Sequence, residues 1–273
     1  MGNKNNKDCT PPSFTIENPD KVTGMYLSPN KNILAIGYGN NNIQLYDMES
    51  QVILKDFEGC CSSKLDNTII NTAFSPDGSL MAFRWENAIR IMDLSTQEVV
   101  RELKNESKIV SISFSPNGNM LLVGGTKDSV SVFDLSKDSS VALIKSVEGR
   151  VYQHVQVSKE YHYKQVVEPK WSPDSLYFVT RWNNMARVYK VEYDNVILDI
   201  ELSHKSKDKA MFTSDDVWDL NFSPDGKYLL VGFNKYEVQL WEFASRSQLK
   251  MVRGCVFTGK DFGCIRTAFS PDG

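Results

Sequence analysis

Three histidines, His154, His162 and His204, and five cysteines are the side chains of this chain best suited to metal or nucleophilic chemistry. A structural zinc site needs its donors in closely spaced pairs, so that two local segments present four ligands tetrahedrally. No such pair occurs. The histidines lack H-x-x-x-H spacing, and Cys9, Cys60, Cys61, Cys255 and Cys264 form no C-x-x-C. Neighbouring Cys60 and Cys61 would bridge each other only with strain, and an odd count leaves a thiol over, so reduced cysteines are expected. That points to an intracellular setting, cytoplasmic or nuclear. Gly37-Tyr38-Gly39 begins like a dinucleotide loop, but the third glycine is missing and a strand follows instead of a helix. There is no complete phosphate-binding loop G-x-x-x-x-G-K-[ST] and no G-x-S-x-G nucleophile elbow. Asp77, Asp174, Asp225 and Asp272 recur, each in a turn of its own, which marks turn formers and not an acid–base pair. The expectation is no catalytic residue, no metal ligand and no cofactor.

The elements that hold these residues are repeated. A Ser-Pro turn follows a short apolar strand six times: Ser28-Pro29-Asn30, Ser75-Pro76-Asp77-Gly78, Ser115-Pro116-Asn117-Gly118, Ser172-Pro173-Asp174-Ser175, Ser223-Pro224-Asp225-Gly226 and Ser270-Pro271-Asp272-Gly273. Successive prolines lie about 40 to 57 residues apart, the period of a propeller blade. Proline presets φ at the second position of a type I turn, Asp or Asn suits the third, and glycine accepts the positive φ that re-enters a strand. After each of the first five turns comes an apolar run, then an alternating strand (Ile43-Asp47, Ile89-Asp93, Val130-Asp134, Ala186-Lys190, Val238-Glu242), then a fourth short strand. The unit is four antiparallel strands, here a to d, with no amphipathic helix between units. Inner strands are apolar at both parities, as required when each sheet packs between two others.

The run Met120-Leu121-Leu122-Val123-Gly124-Gly125 leading to Phe133-Asp134, and Tyr228-Leu229-Leu230-Val231-Gly232 leading to Trp241-Glu242, resemble WD repeats. Tyr46-Asp47, Met92-Asp93 and Tyr189-Lys190 stand at the same place in the other units. The resemblance implies an all-β propeller of four-stranded antiparallel blades: five complete blades and the first strand of a sixth, read as a fragment of a seven-bladed ring. It departs from the family in lacking any Gly-His dipeptide, so the family's buried hydrogen-bond relay does not carry over. Trp218-Asp219 matches the literal motif but falls in strand a. Residues 1–13 read as a flexible polar tail and 14–273 as the propeller domain, truncated at its C-terminus. Phe14-Ile16 is expected to supply an outermost strand of the last blade.

Function is expected on the face of the d–a and b–c loops, because the long connections Glu58-Asn67, Val147-Val166, His204-Asp216 and Gly254-Gly263 all lie there. On the same face the ends of strand b align Gly37, Arg84, Gly124, Arg181 and Gly232, followed by Tyr38, Trp85, Gly125, Trp182 and Phe233. Blades two and four substitute Arg-Trp for the expected glycine and have a b–c loop one residue shorter. Arginine and tryptophan are enriched at interface hot spots. Tyr38, Arg84, Trp85, Arg181, Trp182 and Phe233 are therefore the candidate protein-binding residues, the alternative being that they pack between blades.

With a formal net charge of −3 and no run of roughly 18 apolar residues, neither nucleic acid nor membrane is an expected partner. A non-catalytic scaffold that joins other proteins in a complex is the leading reading. A propeller hydrolase would need acidic residues converging at the starts of strand a, and Val22, Ile69, Ile109, Val167, Val217 and Ile265 stand there instead. A third reading rests on Glu168-Pro169-Lys170-Trp171-Ser172-Pro173 and Val179-Thr180-Arg181-Trp182-Asn183-Asn184, which are similar to a blade of eukaryotic translation initiation factors of the 2A and 3B types. It implies association with the small ribosomal subunit.

Overall fold

The computed structural model describes residues 15–16, 20–58, 72–105, 107–125, 129–137, 143–147, 169–182, 185–193, 195–203, 217–233, 237–253 and 266–272. The five cysteines, the three histidines and most of the long d–a connections lie outside them. The described residues form five four-stranded antiparallel sheets in simple sequential order, and among them no helix is long and apolar enough to cross a membrane.

Blade one comprises β1 (Val22–Leu27), β2 (Ile33–Tyr38), β3 (Ile43–Asp47) and β4 (Ile53–Phe57). Blade two comprises β5 (Thr72–Phe74), β6 (Leu80–Trp85), β7 (Ala88–Asp93) and β8 (Glu98–Lys104). Blade three comprises β9 (Ile109–Phe114), β10 (Met120–Gly125), β11 (Val130–Asp134) and β12 (Leu143–Val147). Blade four comprises β13 (Lys170–Trp171), β14 (Tyr177–Trp182), β15 (Met185–Glu192) and β16 (Asn195–Ser203). Blade five comprises β17 (Val217–Phe222), β18 (Tyr228–Phe233), β19 (Glu237–Glu242) and β20 (Ser247–Arg253). Trp218-Asp219 falls in β17, the first strand, as its phase in the repeat requires.

The Ser-Pro turn is a closed local circuit. In blade two Gly78 N donates to Ser75 O at 2.9 Å, completing the type I turn, and Gly78 has φ +72°. The Ser75 hydroxyl is buried and serves twice, donating to Asp77 Oδ1 at 2.5 Å and accepting from Leu80 N at 2.9 Å. Ser28, Ser115, Ser172 and Ser223 repeat both bonds. A buried amide and a buried hydroxyl are thus satisfied together, which explains why serine precedes each proline. The Asp of the Trp-Asp position has a matching task at the c–d turn, where Asp47, Asp93 and Asp134 accept from backbone amides two residues on.

Side-chain alternation sends successive residues of the inner strands to opposite seams. Met81 and Phe83 of β6 join Ala35, Ile43, Leu45 and Phe57 of blade one, whereas Ala82 between them joins Leu121 and Val123 of blade three. Leu122 in turn faces Trp171 and Phe178 of blade four, and Val179, Val188 and Leu202 meet Leu229, Val231 and Phe233 of blade five. Each seam therefore has its own apolar cluster, and this is why the inner strands read as apolar throughout. The a–b turns also touch: a Cβ on Gly118 would stand 3.7 Å from Pro76, and one on Gly226 3.6 Å from Pro173. They share one face of the molecule.

In every blade the d strand holds one extra residue opposite the c strand, at the same register: Leu54, Val100, Ile144, Asp199 and Leu249. At the ends of the chain, Thr15 and Ile16 are not in a strand, and Ile16 packs on Ile36, Tyr38 and Tyr46 of blade one. Residues 266–270 run beside blade five without ladder pairing. Thr267 is held by side chains instead: its hydroxyl donates to Asp219 at 3.0 Å, and its carbonyl accepts from Asn221 at 2.7 Å. The Ser270 hydroxyl bonds Asp272 and holds that carboxyl below its ordinary range, so the sixth turn has the local bond of the other five.

Candidate functional site

The b–c loops follow the sequence reading in length. Trp85 pairs with Ala88 and Trp182 with Met185, leaving two-residue loops in blades two and four. Three residues separate the last bonded pair in blades one, three and five (Tyr38 to Asn42, Gly125 to Ser129, Phe233 to Glu237). Arg84 braces the shorter loop from inside, with Nε donating to Glu86 O at 3.0 Å, while Glu86 takes φ +54°. Blade three has no room for such an arginine: a Cβ on Gly124 would lie 2.3 Å from Ser111 Oγ and 3.1 Å from Pro169 Cδ.

The six candidate residues divide by exposure. Tyr38 and Phe233 are each 1% exposed, Tyr38 in the cluster with Ile36 and Tyr46 and Phe233 in the seam between blades four and five. Arg84 is 6% exposed. These three are buried, the two rings in packing and the guanidinium against the b–c loop backbone. Trp85 and Arg181 are partly exposed. Trp182 is placed by its backbone pairing with Met185. The Trp85 ring stands edge-on to Phe83 at 6.5 Å, and the guanidinium carbon of Arg90 lies 4.1 Å from its centroid. Arg90 in turn bonds Glu102 across the c–d pair at 2.9 Å. Trp85 is thus a half-exposed aromatic held between an apolar edge and a paired cation.

Arg90 belongs to a set that the sequence reading passed over. The residue two before the first residue of the Trp-Asp position is Gln44, Arg90, Ser131, Arg187 or Gln239, and in each of the five blades it carries a polar bridge. Gln44 accepts from Tyr46 Oη at 3.2 Å and donates to Asp56 at 2.8 Å. Arg187 donates to Glu201 at 2.6 Å and also bonds Tyr189, opposing the burial that pushes that phenol up. Gln239 accepts from Trp241 Nε1 at 3.1 Å and donates to buried Glu237 at 2.9 Å, which also takes a bond from Arg253 at 3.2 Å. In blade three Ser131 donates to Asn105 at 2.8 Å across the seam with blade two, and Asn105 continues to Ser107. Period-two spacing at a fixed offset from the Trp-Asp position was the available signal. The Ser131–Asn105 and Gln239–Glu237 bonds are buried and satisfy polar atoms that would otherwise stand alone, whereas the other three bridges are exposed.

The same bridges bear on chemistry. Their donors and acceptors are paired with one another, and among the described residues no group of three or more His, Cys, Asp and Glu is placed to hold a metal ion. Beside the two-residue b–c loops, the described residues include a partly exposed tryptophan, Trp85, and a partly exposed arginine, Arg181, residue types enriched at protein interfaces.

Comparison with known proteins agrees with this architecture. Residues 72–174 match the family described as the anaphase-promoting complex subunit 4 WD40 domain, and residues 207–242 match the WD domain, G-beta repeat. The small ribosomal subunit protein RACK1 of Schizosaccharomyces pombe is 27% identical over 126 residues, 42% of this chain and 38% of that protein. Eukaryotic translation initiation factor 3 subunit I of Aspergillus terreus is 24% identical over 169 residues, 56% of this chain and 45% of that protein. Cell division cycle 20.1, cofactor of APC complex, of Arabidopsis thaliana is 47% identical over 38 residues, 14% of this chain and 8% of that protein. The matches span less than half the length of each relative. With its repeated four-stranded sheets, its Ser-Pro and Trp-Asp-type turns and these matches, the chain is a member of the WD-repeat family.

Proposed function

We propose that the protein is a non-catalytic scaffold, cytoplasmic or nuclear, that binds other proteins on the face of the d–a and b–c loops. The observation that carries this reading is Trp85, half exposed at the end of β6 and fixed by Arg90 and Glu102. A pre-ordered aromatic loses little entropy when a partner covers it, which is why such residues dominate interface energetics. In blade four Trp182 holds the place of Trp85, and Arg181 beside it that of Arg84. Arg84, Tyr38 and Phe233 serve the same face by fixing loops and seams. The test is quantitative affinity purification with the wild-type chain, W85A and R181A. W85A is expected to lose its enriched partners by about tenfold while keeping its melting temperature within a few degrees. An unchanged partner set in both variants rejects the reading.

A second, narrower reading is association with the small ribosomal subunit. It is favoured by the names of two relatives, a small ribosomal subunit protein and a subunit of initiation factor 3. It predicts co-sedimentation of the purified chain with small subunits in a sucrose gradient at low salt, and free protein at the top of the gradient counts against it.

A further inference from the structure

Blades two and four share more than the Arg-Trp pair at the end of strand b. In blade two Phe83 pairs with Arg90 and Arg90 with Glu102, and in blade four Thr180 pairs with Arg187 and Arg187 with Glu201. Trp85 and Trp182 each stand two residues further along strand b, opposite Ala88 and Met185. The same ion pair joins strands c and d in both blades: Arg90 Nε lies 2.9 Å from Glu102, and Arg187 Nε donates to Glu201 at 2.6 Å. Tryptophan, arginine and glutamate thus recur at three matching register positions. The other blades break the set, with Tyr38, Gly125 and Phe233 in place of tryptophan and Gln44, Ser131 and Gln239 in place of arginine.

In blade two alternation puts Trp85, Arg90 and Glu102 on one side of the sheet, and Arg90 covers the Trp85 ring. Arg84 and Arg181, one residue earlier, pair with Ile89 and Ala186 and so face the other seam. The two sets are held in fixed relation by the blade between them. Blade three packs on blade two through Leu121 and Val123 and on blade four through Leu122. At the far ends of these blades the a–b turns touch in series, Gly118 beside Pro76 and the Asn117 amide bonded to Ser175. Trp85 and Trp182 therefore end strand b on the same face.

Charge decides what such a set can select. Each holds one cation paired with one anion. The flanking positions add Glu86 and Lys104 in blade two and Asn183 and Ser203 in blade four, so both sets sum to zero. Neither offers a net charge to a ligand, and one face of Trp85 is already taken by a cation of its own.

We propose that the two sets form one bivalent site, for a partner chain that carries two copies of a short segment and lays the same uncharged, apolar side chain on each tryptophan. The site rests on the scaffold reading of this face and narrows it. Matching residues in alternate blades read one feature twice, and a tether makes the second contact intramolecular, so that a weak uncharged contact gains affinity without any new one.

A random heptapeptide library displayed on phage tests it, selected on W182A, which keeps the blade-two set alone, after depletion on W85A/W182A. The enriched peptide should have an apolar residue and no net charge, and by fluorescence anisotropy it should bind W182A and W85A within about threefold of each other. Two copies joined by Gly-Ser linkers of stepped length should, at the best length, bind the wild-type chain about a hundredfold more tightly than one copy, and W85A or W182A should abolish that gain. Where alanine lowers the melting temperature, W85L and W182L keep the bulk, lose the aromatic ring and read the same differences. A peptide that binds W182A but not W85A, a charged consensus, or no gain from the tandem at any length overturns the bivalent site and leaves the scaffold reading standing. No enrichment, or peptides that bind W85A/W182A equally well, overturns both.

Discussion

The Ser175 hydroxyl accepts a hydrogen bond at 3.0 Å from the backbone amide of Asn117, tying the turn of blade four to the turn of blade three. Ser175 holds the turn position that Gly78, Gly118 and Gly226 hold elsewhere, and it keeps their left-handed backbone at φ +63°. The backbone cost is tolerated because the side chain joins two blades. S175A keeps the strained backbone and loses the bond, so it should destabilise the chain by about 1–2 kcal/mol. S175G relieves the strain as it loses the bond and should cost less, within about 1 kcal/mol. Urea unfolding of the two variants side by side measures the difference: equal losses would deny the backbone strain any part, and no loss in either would deny the bond one.

Ser115 is fully buried, and its hydroxyl accepts from Met120 N at 3.0 Å and donates to Asn117 at 2.7 Å. S115A strands the Met120 amide and should cost about 1–3 kcal/mol. S115T, which retains the hydroxyl, should recover part of that loss if the added methyl fits. Thermal melts of both variants check the order.

The turn carboxylates predict a particular acid response. The Ser223 hydroxyl, with the amide and side chain of Lys227, holds Asp225 down at about 2, against an ordinary value of 3.8. The Ser75 hydroxyl, with the Ser79 amide and hydroxyl, lowers Asp77. A depressed folded-state value means that the unfolded chain takes up protons first, so the stabilisation is complete above about pH 4 and is lost as pH falls toward 2. Asn30 and Asn117 already make the same serine bond without a charge. D77N and D225N together should therefore flatten the decline of the melting temperature between pH 4 and pH 2. An undiminished slope would show that other groups govern it.

Gly125 ends strand b of blade three, Gly39 follows strand b of blade one, and the two differ in what surrounds them. A Cβ on Gly125 would stand 1.9 Å from Ser107 Oγ and 2.4 Å from Ser129 Oγ, in the space where those hydroxyls bond each other at 2.7 Å. G125A should cost about 2–4 kcal/mol, through overpacking and a broken bond. A Cβ on Gly39 meets nothing nearer than Lys21 O at 3.5 Å, so G39A should stay within about 1 kcal/mol of wild type. Differential scanning calorimetry of the pair decides.

The sequence made the repeat plain because its punctuation is local. Ser-Pro-Asp-Gly specifies a turn through its own bonds, and apolar runs of both parities specify sheets covered on two sides. The two-residue b–c loops of blades two and four were equally accessible, since Arg-Trp replaces Gly there and the loop is shorter by one. What the candidate rim would look like was less accessible. Tyr38 and Phe233 share an alignment column with Trp85, and alignment does not distinguish a ring in a seam from one at a surface. Arg84 is buried by its bond to a carbonyl two residues away, a contact that depends on loop conformation. The bridge at Gln44, Arg90, Ser131, Arg187 and Gln239 escaped notice because its chemistry changes from blade to blade while its position does not. The recurrence of Arg90–Glu102 as Arg187–Glu201 stands out only once register shows which residues correspond.

The extra residue in each outer strand has a bearing on how these molecules behave in a crowd. A straight outer strand would offer an uninterrupted row of amides and carbonyls onto which another chain could add itself, and Val100 and Leu249 are exposed there. Interrupting that row at Leu54, Val100, Ile144, Asp199 and Leu249 twists each margin out of step with any incoming strand. These margins are thereby set against fibril-like growth while Val100 and Leu249 stay accessible, and deletion of Val100 should increase edge-to-edge association, read as a rise in light scattering over wild type.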